Sequence, residues 1–281
     1  MNNATNLPRR AHLTRRAGLV LAAAVLASLA GAGSAAIAAS DQMLFARVGA
    51  EAGLSQGSVT AIQQDAAGFM WIGTEDGLNR YDGYELRHIV RDRKNASSLP
   101  NNWISALARD ASGRLFVGTD GGGVASLDPA TGAFVPVTAS NGRALLDPQA
   151  RVRGLTFDRK GRLWVGTRGS GVSVVDFTVG ESRQFRRDLT NPRSLSDDTV
   201  NDIVEDGDGA IWVASEAGLD RIDPNTDTVE QWSERLRTLQ SAGANRRVSA
   251  LLVDERGVLW IATSSGLARL DPATGTLAVL R

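Results

Sequence analysis

The sequence contains no cysteine, so disulfide bonds and thiol chemistry are both excluded. Stability must therefore come from an apolar core and from strand pairing. Histidine is scarce as well, because only His88 follows the first forty residues. Since His88 falls on a segment predicted below to be an outer strand, a Ser-His-Asp triad or a multi-histidine metal site is nearly excluded. We predict no catalytic residues, no metal site and no cofactor.

Long apolar runs are lacking after residue 40, which predicts no transmembrane helix in that part of the sequence. The one long run, Ala17 to about Ala30, follows four arginines and precedes the small residues of "GAGSAAIAAS". This order is typical of a secretory signal peptide, predicted at residues 1–38 with cleavage after Ala38. Cleavage after Ala39 and an uncleaved membrane anchor are the alternatives. The mature chain, residues 39–281, is predicted to be soluble and, in a bacterial cell, periplasmic.

Neither sign of charge predominates, since 31 basic side chains face 31 acidic ones. Loss of the four arginines of the signal peptide would leave 27 basic side chains against 31 acidic ones. This balance argues against a nucleic-acid partner and against an anionic membrane surface. With 42% hydrophobic and 22% charged residues, the composition is that of a globular protein with a sizeable core.

The sequence does contain a phrase, "GFMWIGTEDGLNRYDG", that recurs five times, spaced by 45 residues once and by 48 residues three times. The aromatic residue of each copy is Trp71, Phe116, Trp164, Trp212 or Trp260. A fixed period of this size predicts a repeat architecture. We interpret the aromatics as core residues and the glycines as turn residues. A phosphate-binding loop would need a strand-loop-helix context that none of the copies provides.

Each copy is predicted to form four antiparallel strands. An alternating run opens the copy and ends in Asp-x-x-Gly, which suits a tight turn before a second strand with the aromatic residue. A glycine-containing turn leads to a third strand, and Asp-Pro-x-Thr precedes a weaker fourth strand in three copies. Four-stranded repeats of this length are typical of the blades of a β-propeller, an all-β fold. The blades are predicted to start near Val59, Ile104, Val152, Val200 and Val248.

The first strand of each copy has one bulky face and one small face, as expected for the strand nearest a propeller axis. The bulky residue is Ile or Leu in all five copies. Its neighbour on the small face is Ala61, Ala106, Gly154, Asp202 or Ala250. The large aromatics one strand further out would fill the wider gaps between blades.

The stretches "GLSQGSVTAIQQDAAGFMWIGTEDGLNRYDGYEL" and "NPRSLSDDTVNDIVEDGDGAIWVASEAGLDRID" closely resemble the two-component regulator propeller repeat, from about Phe45 to Arg281. The resemblance implies a periplasmic ligand-sensing propeller of a hybrid histidine kinase or diguanylate cyclase that is anchored in the inner membrane. It also implies about seven blades per ring. The five repeats are therefore predicted to be a truncated ring, with Met43–Val48 as an outer strand of a further blade. A self-contained five-bladed ring is the alternative.

Residues that depart from the repeat are the candidate site residues, because folding explains the residues that all copies share. Trp103 stands just before a first strand, where an exposed indole could stack on a sugar or pack between blades. Asp202 replaces Ala or Gly near the axis, where its carboxylate would bind a ligand or accept a structural hydrogen bond.

Charged residues are predicted to line the same rim of the propeller. The arginines there are Arg151, Arg153, Arg168, Arg246 and Arg247, and the acids are Glu75, Asp76, Asp120 and Glu216. The predicted ligand-binding residues are Trp103, Arg151, Arg153, Arg168, Asp202 and Arg247. A rim of mixed sign suits a polar or anionic saccharide, with a merely solvated rim as the alternative. The "DGDG" segment at 206–209 lacks the later glutamate of a calcium loop and is interpreted as a turn.

Three functions are compatible with these features. The preferred one is a sensor module that binds a small molecule or oligosaccharide and acts on signalling domains or a partner protein at the membrane. The second is a propeller lyase acting on a polysaccharide or an antibiotic, with His88 or the Asp202 region as acid or base. The third is an interaction scaffold without a ligand.

Overall fold

The computed structural model of the protein describes residues 48–237 and 246–280. The predicted signal peptide lies outside this range, as does the predicted outer strand Met43–Val48 except for Val48, which is not in a strand. A short 3-10 turn, Ala50–Ala52, precedes the first blade, and the helix α1, Ser233–Arg237, follows the fourth.

Five sheets of four strands make up the rest of the described chain. Blade 1 contains β1 (Val59–Gln64), β2 (Met70–Thr74), β3 (Gly77–Tyr81) and β4 (Leu86–Ile89). Blade 2 contains β5 (Ile104–Arg109), β6 (Leu115–Thr119), β7 (Val124–Leu127) and β8 (Phe134–Pro136). Blade 3 contains β9 (Val152–Phe157), β10 (Leu163–Thr167), β11 (Val172–Asp176) and β12 (Glu181–Phe185). Blade 4 contains β13 (Val200–Glu205), β14 (Ile211–Ser215), β15 (Gly218–Asp223) and β16 (Thr228–Gln231). Blade 5 contains β17 (Val248–Val253), β18 (Leu259–Thr263), β19 (Gly266–Asp271) and β20 (Thr276–Leu280).

Within each blade the strands are hydrogen-bonded in chain order, and every neighbouring pair is antiparallel. The first strands of successive blades lie next to one another, from β1 through β5, β9 and β13 to β17. The prediction of an all-β propeller of four-stranded antiparallel blades is confirmed, and each blade starts at the predicted residue. The number of blades in a complete ring stays a prediction.

The Asp-x-x-Gly turn does more than reverse the chain. In blade 3, one oxygen of Asp158 accepts the backbone N–H groups of Lys160 and Arg162, and the other accepts Trp164 Nε1–H at 2.9 Å. Blades 1, 4 and 5 have the same aspartate–tryptophan bond at 2.7–2.9 Å. Each of these indoles is therefore held in place by the turn that precedes its strand. Blade 2 has Phe116 instead, which offers no such donor.

The hydrophobic core lies between successive blades, as the sequence predicts. Trp164 and Trp212 are fully buried, and each packs against the first two strands of the following blade. Trp260 of blade 5 is only half-buried, and its cross-strand neighbour Leu252 is 63% exposed. Ile62, on the opposite face of blade 1, is 59% exposed. Within the described chain, these two faces have no blade covering them.

Crowding near the first strands confirms the reason for their small face. A Cβ atom added to Gly154 would lie 3.1 Å from the backbone nitrogen of Ile203 and 3.2 Å from Cα of Asp202. A methyl group at this point would require the backbone of β13 to shift by a few tenths of an ångström.

Candidate functional site

The linkers between blades and the turns after each second strand lie at one end of the sheets, here called the linker face. Strand pairing requires this, because the start of each first strand is paired with the end of the second strand, as in Val200 with Ser215. A backbone N–H after the second strand also donates to the carbonyl group before the first strand. These bonds, at 2.8–3.1 Å, run from Asp120 to Trp103, from Arg168 to Arg151 and from Glu216 to Thr199. Trp103, Arg151 and Arg168 therefore lie at the ends of a hydrogen bond that recurs from blade to blade.

Asp120 is the centre of the charged cluster on the linker face. Its side chain is only 2% exposed and accepts hydrogen bonds from Arg151 Nε at Oδ1 and from Arg151 Nη2 at Oδ2, the second at 3.1 Å. Arg153 Nη2 lies 3.8 Å from the same Oδ2. The hydrogen bond from Arg151, with the charges of Arg151, Arg153 and Arg168, holds the pKa of Asp120 below its usual value. Three of the predicted ligand residues thus gather around one buried acid.

A β-bulge directs Arg153 into this cluster. Every first strand has an irregularity at its second residue, which leaves that residue outside the regular pairing. A bulge changes the direction of the side chain at that point. The bulged residues are Thr60, Ser105, Arg153, Asn201 and Ser249. The sequence predicts Arg153 as a site residue, but it contains no signal for the bulge itself.

Trp103 lies on the same face, immediately before β5. Its N–H donates to Asn101 Oδ1 at 3.0 Å, and its carbonyl group accepts the N–H of Asp120. Its backbone is therefore held on both sides, while the residue as a whole is 38% exposed. Asp120 connects this backbone to the arginines of blade 3. Stacking of the indole on a ligand stays a prediction.

Asp202 and Arg247 make contacts of their own, to groups other than Asp120. Asp202 Oδ2 accepts the N–H of Leu251 in the next blade at 2.8 Å, and Oδ1 accepts the N–H of Ile203 at 2.8 Å. Burial raises the pKa of Asp202. Asp202 therefore makes structural hydrogen bonds, which is the second of the two roles predicted for it. Its predicted role in ligand binding stays a prediction. Arg247 Nε pairs with Glu216 at 3.3 Å between blades 4 and 5.

The single histidine of the propeller is on an outer strand, as predicted. His88, on β4, makes a 2.8 Å hydrogen bond with the carbonyl oxygen of Asp76 and is exposed. The 206–209 segment forms the Asp-x-x-Gly turn of blade 4, with Gly209 N–H donating to the carbonyl oxygen of Asp206. In residues 48–237 and 246–280 there is no cluster of three or more His, Asp or Glu side chains suited to a metal ion.

Sequence reasoning missed the most perturbed acid of the described chain. Asp220, on β15, is fully buried and accepts the N–H of Ser196 at 2.9 Å and its hydroxyl group at 2.5 Å. Burial raises the pKa of Asp220 to about 6. The signal was present, because "GLDRID" has aspartate where "GLNRYD" of blade 1 has Asn79. Asn79 makes the equivalent contact with the N–H of Ser55 at 3.1 Å.

A cavity of about 490 Å³ lies beside blade 2. It is lined by the linkers that flank blade 2, including Arg91, Arg93 and Asp147, and by the buried Phe134 of β8. Gly121, which directly follows Asp120, also lines it. Cavities of this size are typical of small-molecule sites. The sequence does not reveal this cavity, because its walls come from the linkers, the least regular part of the repeat.

The strand order and the repeat define a β-propeller, and the residues that break the repeat on its linker face are the candidate site residues. The sequence model described as "Two component regulator propeller" matches residues 53–76, 98–121, 147–169, 194–217 and 242–265. The chain therefore belongs to the family of proteins built from two-component regulator propeller repeats.

Several known proteins are similar to this chain. Over 47 residues the chain is 43% identical to histidine kinase P4 of Formosa agariphila. The matched segment makes up 17% of this chain and 3% of that kinase. The extracellular domain of a hybrid two-component system from B. thetaiotaomicron has a similar structure, with 24% identity and a TM-score of 0.68 over 83% of this chain. The chain spans 31% of that domain. Virginiamycin B lyase from Staphylococcus aureus shares the fold at 12% identity, with a TM-score of 0.60 over 80% of this chain and 70% of that one. At these identities the two solved structures support the fold alone.

Proposed function

We propose that this chain is the ligand-binding propeller of an exported signalling protein and that it recognises a saccharide or another small polar ligand. Membership of the two-component regulator propeller family supports this role. Similarity to the extracellular domain of a hybrid two-component system and to a histidine kinase supports it further. Binding would change the linker face and be transmitted to signalling domains or to a partner protein at the membrane. Nucleic acid is not among the proposed partners, and the propeller itself is proposed to be non-catalytic and free of cofactors.

The main support for this proposal is that several residues that differ from the repeat pattern lie close together on one face. Trp103, Arg151, Arg153 and Arg168 all lie on the linker face and are connected through Asp120. The cavity beside blade 2, lined by polar and apolar side chains and by Gly121 next to Asp120, offers a concave surface. Trp103, which is 38% exposed, offers an aromatic face for the apolar side of a sugar, and the arginines of blade 3 offer N–H donors for its polar edge.

A periplasmic location is part of the proposal. The arginine-rich start and the apolar run of residues 1–38 support export through a signal peptide. None of the helices in residues 48–237 and 246–280 is long and apolar enough to cross a bilayer. Anchoring of the complete protein in the inner membrane is proposed from the family resemblance.

A propeller lyase is the second candidate, favoured by the similarity of the fold to virginiamycin B lyase. His88 and Asp202 would be its acid or base. His88 is already hydrogen-bonded to the backbone of Asp76, and both oxygens of Asp202 accept backbone N–H groups. Release of an unsaturated product from a polysaccharide or of a linearised antibiotic, lost in His88→Ala, would favour the lyase over the sensor.

Thermal melting with a carbohydrate panel tests the sensor proposal. Ligands that bind only the folded protein raise its melting midpoint. We expect the Trp103→Ala variant to melt close to the wild type without ligand and to lose the ligand-induced shift. Tyr84→Ala is the matched control, because Tyr84 is a 95% exposed aromatic in a turn at the opposite end of blade 1.

The opposite pattern would count against this site. If Trp103→Ala lowers the melting midpoint strongly in the absence of ligand and keeps any ligand shift, the indole has a packing role. Loss of the shift in Tyr84→Ala as well would mean that the effect is not specific to the linker face.

A further inference from the structure

The charges of the cluster around Asp120 do not balance. Arg151 occupies both oxygens of Asp120, so this pair is neutral and close to saturated. Arg153 reaches the same acid only at 3.8 Å, which is too long for a hydrogen bond. In the part of the chain that the structure describes, the side chain of Arg168 has neither a hydrogen bond nor an ion pair. A guanidinium group has five N–H donors, so most of those of Arg153 and Arg168 remain available.

Comparison with the other blades shows that the fold does not require Arg168. In blades 1 to 5 the residue after the second strand is, in order, Glu75, Asp120, Arg168, Glu216 and Ser264. The residue before the first strand is, in the same order, Ser58, Trp103, Arg151, Thr199 and Arg247. Twice, the acid of one blade pairs with the arginine of the next, Asp120 with Arg151 and Glu216 with Arg247. Between blades 3 and 4 the acid is replaced by Arg168, which faces Thr199. Within the described residues the cation at this place forms no ion pair, unlike those on either side.

Like Arg168, Arg153 differs from the residues at the equivalent position of the other blades, which at the bulge are short and uncharged. The side chains of Thr60 and Asn201 donate from the bulge to carbonyl groups of the next blade, at 2.6 and 2.8 Å. Ser105 and Ser249 donate to carbonyl groups of their own blade, each at 3.2 Å. Short polar side chains are therefore sufficient for the fold at this position. The long cationic side chain of blade 3 adds a charge that the backbone does not use.

The geometry points to an oxyanion site on the linker face of blades 2 and 3, in which Arg153 and Arg168 bind a carboxylate or sulfate group. The planar guanidinium fork matches both groups and binds them through paired N–H donors. Asp120 and Arg151 neutralise each other, so the positive charges of Arg153 and Arg168 remain for the ligand. Resting on the proposed sensor function, this inference narrows the ligand to an acidic saccharide, with its sugar ring near Trp103 and its anionic group at the arginines.

Binding of three oligosaccharides of equal length to the full chain tests the inference. The probes are tetragalacturonate, which bears carboxylates, a sulfated galactan tetrasaccharide, and neutral galactotetraose. We expect the wild type to bind one of the acidic probes more tightly than the neutral one in isothermal titration. Arg168→Gln and Arg153→Ser should each weaken that acidic probe by roughly tenfold or more, the effect expected for a charge-assisted hydrogen bond. The probe that loses affinity identifies the anionic group as carboxylate or sulfate.

Arg256→Gln is the matched control, because Arg256 is an exposed arginine in the Asp-x-x-Gly turn at the opposite end of blade 5. It should leave the binding of all three probes unchanged. If neither acidic probe binds more tightly than galactotetraose, or if Arg168→Gln binds them as the wild type does, the oxyanion site is refuted. Galactotetraose binding that depends on Trp103 would in that case leave the sensor proposal standing and overturn only its anionic part.

Discussion

Replacing Asp220 by asparagine should stabilise the propeller at neutral pH. Asp220 is fully buried between β15 and the linker before blade 4, where it accepts two hydrogen bonds from Ser196. Blade 1 already contains the amide version of this contact. Asn79 accepts the N–H of Ser55 at 3.1 Å and donates to its hydroxyl group at 2.9 Å. Asparagine at position 220 can make the same two contacts without placing a charge in the core.

The magnitude follows from the pKa of Asp220. Burial raises it from 3.8 to about 6, and the charge of Asp197 acts in the same direction. An acid with a raised pKa binds its proton more tightly in the folded state than in the unfolded state. Its contribution is therefore most favourable below about pH 4 and is lost as the pH rises through about 6. A difference of this size corresponds to roughly 3 kcal/mol of unfolding free energy.

Urea unfolding of the wild type and Asp220→Asn at four values between pH 4 and pH 7 measures this contribution. The variant should be the more stable protein at pH 7, by up to roughly 3 kcal/mol, and the difference should shrink towards pH 4. Asp208→Asn, a change to an exposed acid in the turn of the same blade, should show no such trend. A variant less stable than the wild type at pH 7, or a difference that does not change with pH, would refute the reasoning.

Two further predictions concern contacts between blades, and equilibrium urea unfolding measures both. Trp164→Ala should lower the unfolding free energy by about 3 to 5 kcal/mol, because it empties a fully buried site. The same change at the half-buried Trp260 should cost clearly less, and equal costs would contradict the assignment of the core. Asp202→Ala should cost about 1 to 3 kcal/mol by leaving the N–H of Leu251 without its acceptor. A ligand-induced melting shift abolished by Asp202→Ala without this loss of stability would return Asp202 to the ligand site.

The sequence predicts the blades well because the same short-range patterns of strands and turns occur in all five copies of the repeat. The alternating run, the Asp-x-x-Gly turn and the aromatic second strand each depend on residues within about ten positions of one another. Val152, for example, begins β9 as predicted, and Trp164 is buried as predicted. A strand that is hard to recognise in one copy can be placed by alignment with the other four copies.

Contacts between blades are much harder to predict from the sequence. Asp120 and Arg151 are 31 residues apart, and their pairing depends on how the turn of one blade faces the linker of the next. Once that geometry is known, the second pair, Glu216 with Arg247, follows from the same rule. The bulge that redirects Arg153 recurs in all five blades although its residue is Thr, Ser, Arg, Asn or Ser, so it has no residue signature of its own.

The five copies provide an internal control that separates structural departures from possible functional ones. Asp202 and Asp220 both break the pattern of the repeat, yet the oxygens of both accept hydrogen bonds from neighbouring backbone or side-chain groups of the fold. A buried carboxylate needs such partners, and their presence explains both residues without a ligand. Arg168 breaks the pattern on the surface, because it occupies the position at which Asp120 and Glu216 of other blades pair with an arginine of the next blade, and within the described residues it forms no ion pair. The departure that the fold leaves unexplained is therefore a cation, and an anionic ligand is the partner that would account for it.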